Sequence, residues 1–251
     1  MKVSIITVVY NNKDTISDTI ESVLNQTYQD IEYIVIDGLS SDGTLDVINR
    51  YEKRISKVVS EEDSGIYDAM NKGISISAGE VIGFINADDM LHSSQCIEKI
   101  MHLFNDGFDV VYGDKIYVDR NDSSKLLRYW KAGSFDKNKY RYGWMTPHLS
   151  TYIKREVYEK HGGFDTRFKI AADYELMLRF LYKNNLKVKY LPEVIAKMRA
   201  GGVSNSSFLN IIISNYEVYK SWRVNDLKIW PLIIITKPAS KIKQVFSWNS
   251  S

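Results

Sequence analysis

The 251-residue chain reads as an α/β protein built on a mostly parallel sheet flanked by helices. Three observations predict this. Short apolar runs alternate with amphipathic stretches through the first 92 residues. The runs are apolar throughout instead of alternating, the pattern of strands buried on both faces. Polar and acidic residues gather just past the carboxyl end of each run, where such sheets bind their ligands.

The elements follow in order. VSIITVV (3–9) is rich in β-branched residues and reads as the first strand. Asn12 or Asp14 is a candidate cap for a helix that places Ile16, Ile20, Val23 and Leu24 on one face. IEYIVID (31–37) is a second strand, and SSDGTLDVINRYEK a capped helix with Leu45, Ile48 and Tyr51 near one side. ISKVVSE (55–61) is a third strand, SGIYDAMNKGISIS a helix to about Ser77 that Gly79 stops, and VIGFI (81–85) a fourth strand. Beyond residue 93 the order loosens. SSQCIEKIMHLFN is a helix, FDVVYGD a strand, and KIYVDRNDSSKLLRYW a hairpin turning at 120–124. YIKREVYEKHGGFD is a short helix closed by glycines, ADYELMLRFLYKNN a strong helix, and LKVKYLP a strand. No internal repeat or low-complexity linker is visible. One domain over 1–205, with a nucleotide-binding half (1–92) and an acceptor half (93–205), followed by a helical tail (206–251), is the expected organisation.

Composition narrows the class. A net charge of +2 without a basic face in the first two thirds argues against a nucleic-acid binder. The single cysteine, Cys96, excludes an intrachain disulfide and fits a reducing cytoplasm. The amino-terminal apolar run turns polar at Asn11 and lacks a small-residue cleavage site, so it reads as a strand and not a signal peptide. No run reaches the roughly 18 apolar residues of a membrane span.

The acidic rim is the chemical signal. In FINADDM (84–90) two adjacent carboxylates, Asp88 and Asp89, leave the fourth strand. Such charges resist joint ionisation unless something positive lies between them. A divalent cation, Mg2+ or Mn2+, shared with ligand phosphates would do this, since these ions take carboxylates plus phosphate oxygens. Taken alone, the pair reads equally as a helix cap beside a solvated acid. Asp37, ending the second strand, could accept from a nucleobase N–H or serve a turn, and Asp63 could serve a ligand or the helix amino terminus it opens. Asp68, Asn71 and Lys72 share one face of the following helix.

SIITVVYN, VIDGLSSDGT, DSGIYDAMNKG and FINADDM, followed by GGFD (162–165) and ADYELMLR (172–179), resemble the successive signatures of family 2 glycosyltransferases of the GT-A fold, over about residues 2–205. The resemblance implies transfer of a sugar from a nucleotide diphosphate donor with inversion at the anomeric carbon. It implies a nucleoside pocket lined by Val8, Tyr10, Asp37 and Asp63, with Asp88 at the ribose or metal and Asp89 on the metal. Asn86 stands where many relatives have the first acid of this element. Asp68, Asn71, Lys72 and Arg199 are implied on the donor sugar and diphosphate side. In place of an acidic pair the chain has Ala172-Asp173, leaving Asp173 as the implied general base. His148 and Trp144 are candidates for the acceptor side, each with an ordinary structural role as its rival.

The resemblance leans toward bacterial surface-polysaccharide or O-antigen assembly. It implies a UDP-hexose donor and a GlcNAc-diphospho-undecaprenol acceptor at the cytoplasmic face of the inner membrane. In the tail, Trp230, Leu232 to Ile235, Lys237, Lys241, Lys243, Phe246 and Trp248 interleave apolar and basic residues, which suits a helix lying in a membrane interface. Packing against the catalytic domain, or against a partner subunit, is the alternative. A nucleotidyltransferase would want a glycine-rich phosphate loop after the first strand, and VVYNNKD has no glycine. A receiver module would be about half this length, with its acids after the first strand. A transferase-like protein that only binds nucleotide sugars is a third alternative.

Overall fold

The computed structural model describes residues 1–184, 186–201 and 208–229. The chain runs β1 (Val3–Val9), α1 (Ile16–Leu24), β2 (Ile31–Asp37), α2 (Thr44–Asn49), β3 (Lys57–Ser60), α3 (Ile66–Ile76) and β4 (Val81–Phe84). It continues through β5 (Met90–Leu91), α4 (Cys96–Asn105), β6 (Val110–Val118), β7 (Leu126–Trp130), β8 (Thr151–Lys154), α5 (Arg155–His161), α6 (Ala172–Met177), β9 (Val188–Arg199) and α7 (Phe208–Val224).

The strands form one nine-stranded sheet ordered β3-β2-β1-β4-β8-β6-β9-β5, with β7 joined to β6. β3, β2, β1 and β4 are mutually parallel, and β6 is parallel to β9. β8 is antiparallel to both β4 and β6, so it closes the nucleotide half against the rest. All seven residues of β1 are buried, as a central parallel strand with two covered faces requires. Its register, Val9 opposite Asp37 and Ile6 opposite Phe84, brings the ends of β1, β2 and β4 to one edge. Close packing fixes the central strands. A Cβ on Gly83 would lie 2.2 Å from the Tyr152 ring, so β4 admits only glycine beside β8.

Several local expectations change. Neither Asn12 nor Asp14 caps α1; the cap position is Thr15, whose hydroxyl donates to Asn12 Oδ1 at 2.6 Å. α3 ends at Ile76 with Ser77 already extended, and Gly79 serves a different purpose. Its N–H donates to Ser4 Oγ at 2.9 Å, and a Cβ there would meet the Ser4 backbone nitrogen at 2.5 Å. The strong helix of residues 172–185 is two pieces: α6, then a π-helical stretch over Leu178–Lys183. The widening has local causes. Arg179 holds Glu175 through two bonds, at 2.9 and 3.0 Å, and also reaches the carbonyls of His161, Gly162 and Gly163. Asn184 Nδ2 takes the carbonyl of Arg179. The last strand extends past LKVKYLP to Arg199, through two register shifts against β6.

α7 packs on the body of the fold. Val218 and Trp222 are buried, and Trp222 Nε1 donates to Tyr174 OH at 3.1 Å. Glu217 accepts from the backbone N–H groups of Lys169, Ile170 and Ala171 at 2.7–2.9 Å. Those groups precede α6, so Glu217 caps a helix other than its own. Leu209, Ile212 and Tyr216 of α7 are exposed. The tail segment with the interleaved lysines and aromatics, beginning at Trp230, lies outside the described residues. No helix among the described residues is long and apolar enough to cross a membrane.

Candidate active site

A cleft of about 640 Å³ opens at the carboxyl ends of β1 and β4, walled by α3, the β6–β7 hairpin, residues 143–149 and the start of α6. Val8, Tyr10, Asp63, Asp88, Asp89, Trp144, His148, Asp173 and Arg199 all line it. They come from six separate regions of the chain, which the sheet order brings together.

At one end, Tyr10 presents a 67% exposed side chain beside Asn12 and Asp63. Asp63 Oδ1 accepts from Gly65 N at 2.8 Å, and its other oxygen occupies the space above Gly38. A Cβ on Gly38 would lie 2.5 Å from that oxygen, so the glycine is what lets Asp63 close over the end of β2. Asp37 is fully buried just behind. It accepts from Ser40 Oγ and Ser60 Oγ at 2.5 and 2.6 Å and from Ser40 N at 3.1 Å. It holds the turn under the cleft floor and does not line the cleft.

Asp68, Asn71 and Lys72 also fall outside the lining. Asp68 accepts from Ser64 N at the start of α3. Asn71 brackets Phe164, donating to its carbonyl and accepting from its N–H, at 2.9 and 2.8 Å. Lys72 pairs with Glu61 at 2.9 Å and donates to the Glu62 carbonyl. The three brace α3 against its neighbours.

The carboxylates after β4 sit in the cleft centre. Asp89 is 1% exposed, so it is not the solvated acid that the bare pair would allow. Burial, and then the neighbouring Asp88 charge, push its carboxyl up to about 8. Its Oδ1 accepts from Arg199 N at 3.0 Å, and Thr19 Oγ1 holds its backbone carbonyl at 2.7 Å. Asn86 Oδ1 is buried without a hydrogen-bond partner. Orphaned buried oxygens are rare. It is the Asn86 amide nitrogen that faces Asp89, donating to Oδ2 at 3.5 Å, so the oxygen donors in the cleft centre are the two carboxylates, the kind that suit a hard divalent cation. Among the described residues no group of three or more His, Cys, Asp or Glu side chains could hold a metal. A cation at Asp88 and Asp89 therefore needs ligand oxygens to complete its shell. Arg199 is engaged elsewhere: its guanidinium pairs with Asp18 and donates to the carbonyls of Asp88 and Arg120. It locks β9 to the Asp88 turn.

Opposite lie the remaining candidates. Asp173, half-buried at the start of α6, accepts from Tyr174 N at 2.8 Å through one oxygen. The preceding backbone is held from both sides, by Glu217 on the N–H groups and by Tyr67 OH on the Ile170 carbonyl at 2.7 Å. His148 stacks on Phe84, centroids 5.4 Å apart, with Phe164 edge-on at the same distance. Burial pulls its imidazole down to about 4, with nearby Asp173 opposing in part and Lys115 adding to the fall. It is thus neutral near pH 7, with a buried Nε2 that has no protein partner. Trp144 is edge-on to Tyr140 and Tyr112 and partly buried, so it serves the core and the cleft wall together.

The β6–β7 hairpin contributes residues for which the sequence suggested no role. Lys115, Tyr117, Arg128 and Trp130 line the cleft from one face of the hairpin. Alternation along each strand was the available signal, since 115 and 117, and 128 and 130, share a face.

The comparisons with known proteins give the family and the fold. The model of "Glycosyl transferase family 2" matches residues 4–165. A "PGL/p-HBAD biosynthesis glycosyltransferase" of Mycobacterium bovis is 26% identical over 240 residues, covering 92% of this chain and 90% of that protein. Among solved structures, S. aureus TarS superimposes with a TM-score of 0.66 at 17% identity over 86% of this chain, which spans 39% of the TarS chain. Its 1–349 fragment with UDP-GlcNAc gives 0.69 at 16% identity, covering 90% of this chain and 65% of the fragment. The mannosyltransferase PcManGT of Pyrobaculum calidifontis, with GDP-Man and Mn2+, gives 0.68 at 17% identity, over 100% of this chain and 76% of that one. The fold is GT-A, and the chain belongs to glycosyl transferase family 2.

Proposed function

We propose that this transferase moves a hexose, glucose or galactose, from a UDP-sugar to a hydroxyl of a diphosphate-linked saccharide on a lipid carrier, with inversion and formation of a β linkage. The observation that carries the reading is the convergence of Asp63, Asp88, Asp89 and Asp173 on one cleft. In it Tyr10, Val8 and Asp63 flank the nucleoside, over the turn that Asp37 secures. Asp88 and Asp89 would hold Mn2+ or Mg2+, which supplies positive charge for the departing diphosphate. The UDP-GlcNAc bound to the TarS fragment and the GDP-Man and Mn2+ bound to PcManGT support this choice.

The acceptor hydroxyl enters between Trp144 and His148. As its oxygen bonds to the anomeric carbon, the bond to the β-phosphate oxygen breaks, and the hydroxyl proton passes to Asp173. Neutral His148 offers its unpartnered Nε2 to hold an acceptor hydroxyl. Residues 1–205 carry the reacting side chains and α7 braces them, while the exposed Leu209, Ile212 and Tyr216 of α7, with the basic and aromatic residues past 229, seat the enzyme on the cytoplasmic face of the inner membrane. Surface-polysaccharide assembly, of the O-antigen or capsule type, is the fitting process.

The test is Asp173→Asn with UDP-glucose or UDP-galactose, Mn2+ and a GlcNAc-diphospho-lipid. UDP affinity stays within about twofold, while transfer falls by about 10²–10⁴. Turnover near wild type in the variant would remove Asp173 from the reaction. A wild-type protein that binds UDP but transfers neither sugar would overturn the substrate assignment.

A further inference from the structure

On the cleft face of the β6–β7 hairpin, cross-strand register sets Lys115 opposite Trp130 and Tyr117 opposite Arg128. Two cations and two aromatic rings thus form a checkerboard. Lys115 Nζ lies 4.4 Å from the Trp130 centroid and 5.1 Å from that of Tyr117. Arg128 Cζ lies 5.0 Å from Tyr117 and 5.7 Å from Trp130. Lys115 is 6% exposed, and its ammonium touches the Met198 thioether. Among the described residues no carboxylate forms an ion pair with it. A buried ammonium in contact with rings and sulfur, with no ion-pair partner and only the Asp89 charge felt at longer range, is costly, and folds keep such groups where a ligand completes them. Trp130 Nε1, buried without a hydrogen-bond partner, is a second incomplete donor on the same wall.

We propose that this face is a subsite for an acidic group carried by the acceptor saccharide, a phosphate ester or a carboxylate, with a sugar ring lying on the Trp130 and Tyr117 faces. This rests on the transfer reading above and adds where the acceptor's charge docks. The donor's diphosphate is the alternative occupant, because Asp89 feels the Lys115 charge and β5, which follows it, pairs with β9 beside β6; UDP affinity in the test below separates the two. The arrangement selects acidic over neutral acceptors: the Lys115 ammonium gives an anion a charge-assisted contact that a neutral ring does not use.

The test measures binding directly, so it does not depend on turnover. Wild-type, Lys115→Met and Lys115→Arg proteins are titrated with N-acetylglucosamine 1-phosphate, glucuronate, methyl N-acetylglucosaminide and UDP plus Mn2+, with ligand-observed NMR and melting as readouts. Wild type binds at least one of the two acidic probes at least tenfold tighter than the neutral glycoside, and which one identifies the acceptor's charge. Lys115→Met loses that preference, Lys115→Arg keeps most of it, and UDP affinity changes less than twofold in both. Lys115→Met melts at or above wild type, because a buried charge without an ion-pair partner is gone. Unchanged acidic-probe binding in Lys115→Met, or UDP weakened as much as the probe, overturns the proposal. So does a clear fall in the Lys115→Met melting temperature, which would make Lys115 a structural part of the wall. Absent UDP binding with intact acidic-probe selectivity would instead count against the transferase reading alone.

Discussion

Replacing Glu217 by alanine should weaken the fold and disable the acceptor half together. The Glu217 carboxylate is 5% exposed and accepts three backbone N–H groups, at 2.7, 2.9 and 2.8 Å, from Lys169, Ile170 and Ala171. Each is a charge-assisted bond, and each donor left behind would be poorly hydrated beneath α7. Removing one side of such a buried cluster costs about 3–5 kcal/mol. A domain of this size moves its melting point by roughly 2–4 °C per kcal/mol, so a fall of about 10 °C is expected. Glu217→Gln keeps the shape but turns a donor toward donors, and should fall about half as far. Asp173 follows two residues after Ala171, so loosening this backbone moves the base. Transfer should then drop well below what the unfolded fraction explains, while UDP affinity, set by the β1–α3–β4 end, holds. Scanning calorimetry, UDP titration and turnover on the same samples check this. A melting shift under about 2 °C, or equal losses of UDP binding and turnover, would refute the reasoning.

Other expectations follow from the same geometry. Asp89→Ala should abolish the Mn2+ enhancement of UDP binding, seen by titration with and without the metal, and leave metal-free binding little changed. His148 titrates near 4 in the fold and near 6.5 when unfolded, so only the unfolded state gains its proton as pH falls between them. The fold therefore loses stability progressively from about pH 6.5 toward 4, by about 3 kcal/mol at most. His148→Phe lacks that loss, and its melting temperature should fall less than wild type between pH 7 and 4.5. Gly83→Ala places a methyl 2.2 Å from the Tyr152 ring and should cost about 1–3 kcal/mol or more, read by denaturant midpoint.

The sequence was most legible where strands are central and contacts local. β1, β2 and β4 announce themselves because both faces are covered, so VSIITVV, IEYIVID and VIGF are dominated by apolar residues, and the buried Ser4, Thr7 and Glu32 among them are hydrogen-bonded. The acids after those strands could be placed at one edge from connectivity alone. Legibility ended where a side chain's duty depends on distant partners. Arg199 looked available for phosphate, but Asp18, 181 residues away in sequence, takes its guanidinium. Asn71 looked like a donor-site residue, but the GGFD turn claims its amide. The hairpin was visible, but which of its faces meets the cleft is decided by β9 lying along the other edge of β6. The helix beginning at Ala172 read as continuous because periodicity does not register Arg179 reaching back across three carbonyls.

That the helix bearing Asp173 is capped from α7 has a consequence for biosynthesis. The nucleotide half is woven from neighbours in sequence, and its βαβ units can condense while the rest of the chain is still on the ribosome. The proposed base, Asp173, cannot be locked until residue 217 has emerged and docked. On the proposed reaction, a message cut short near codon 210 would yield a protein that keeps activated sugar without spending it, a dominant sink for the donor pool and not a silent null.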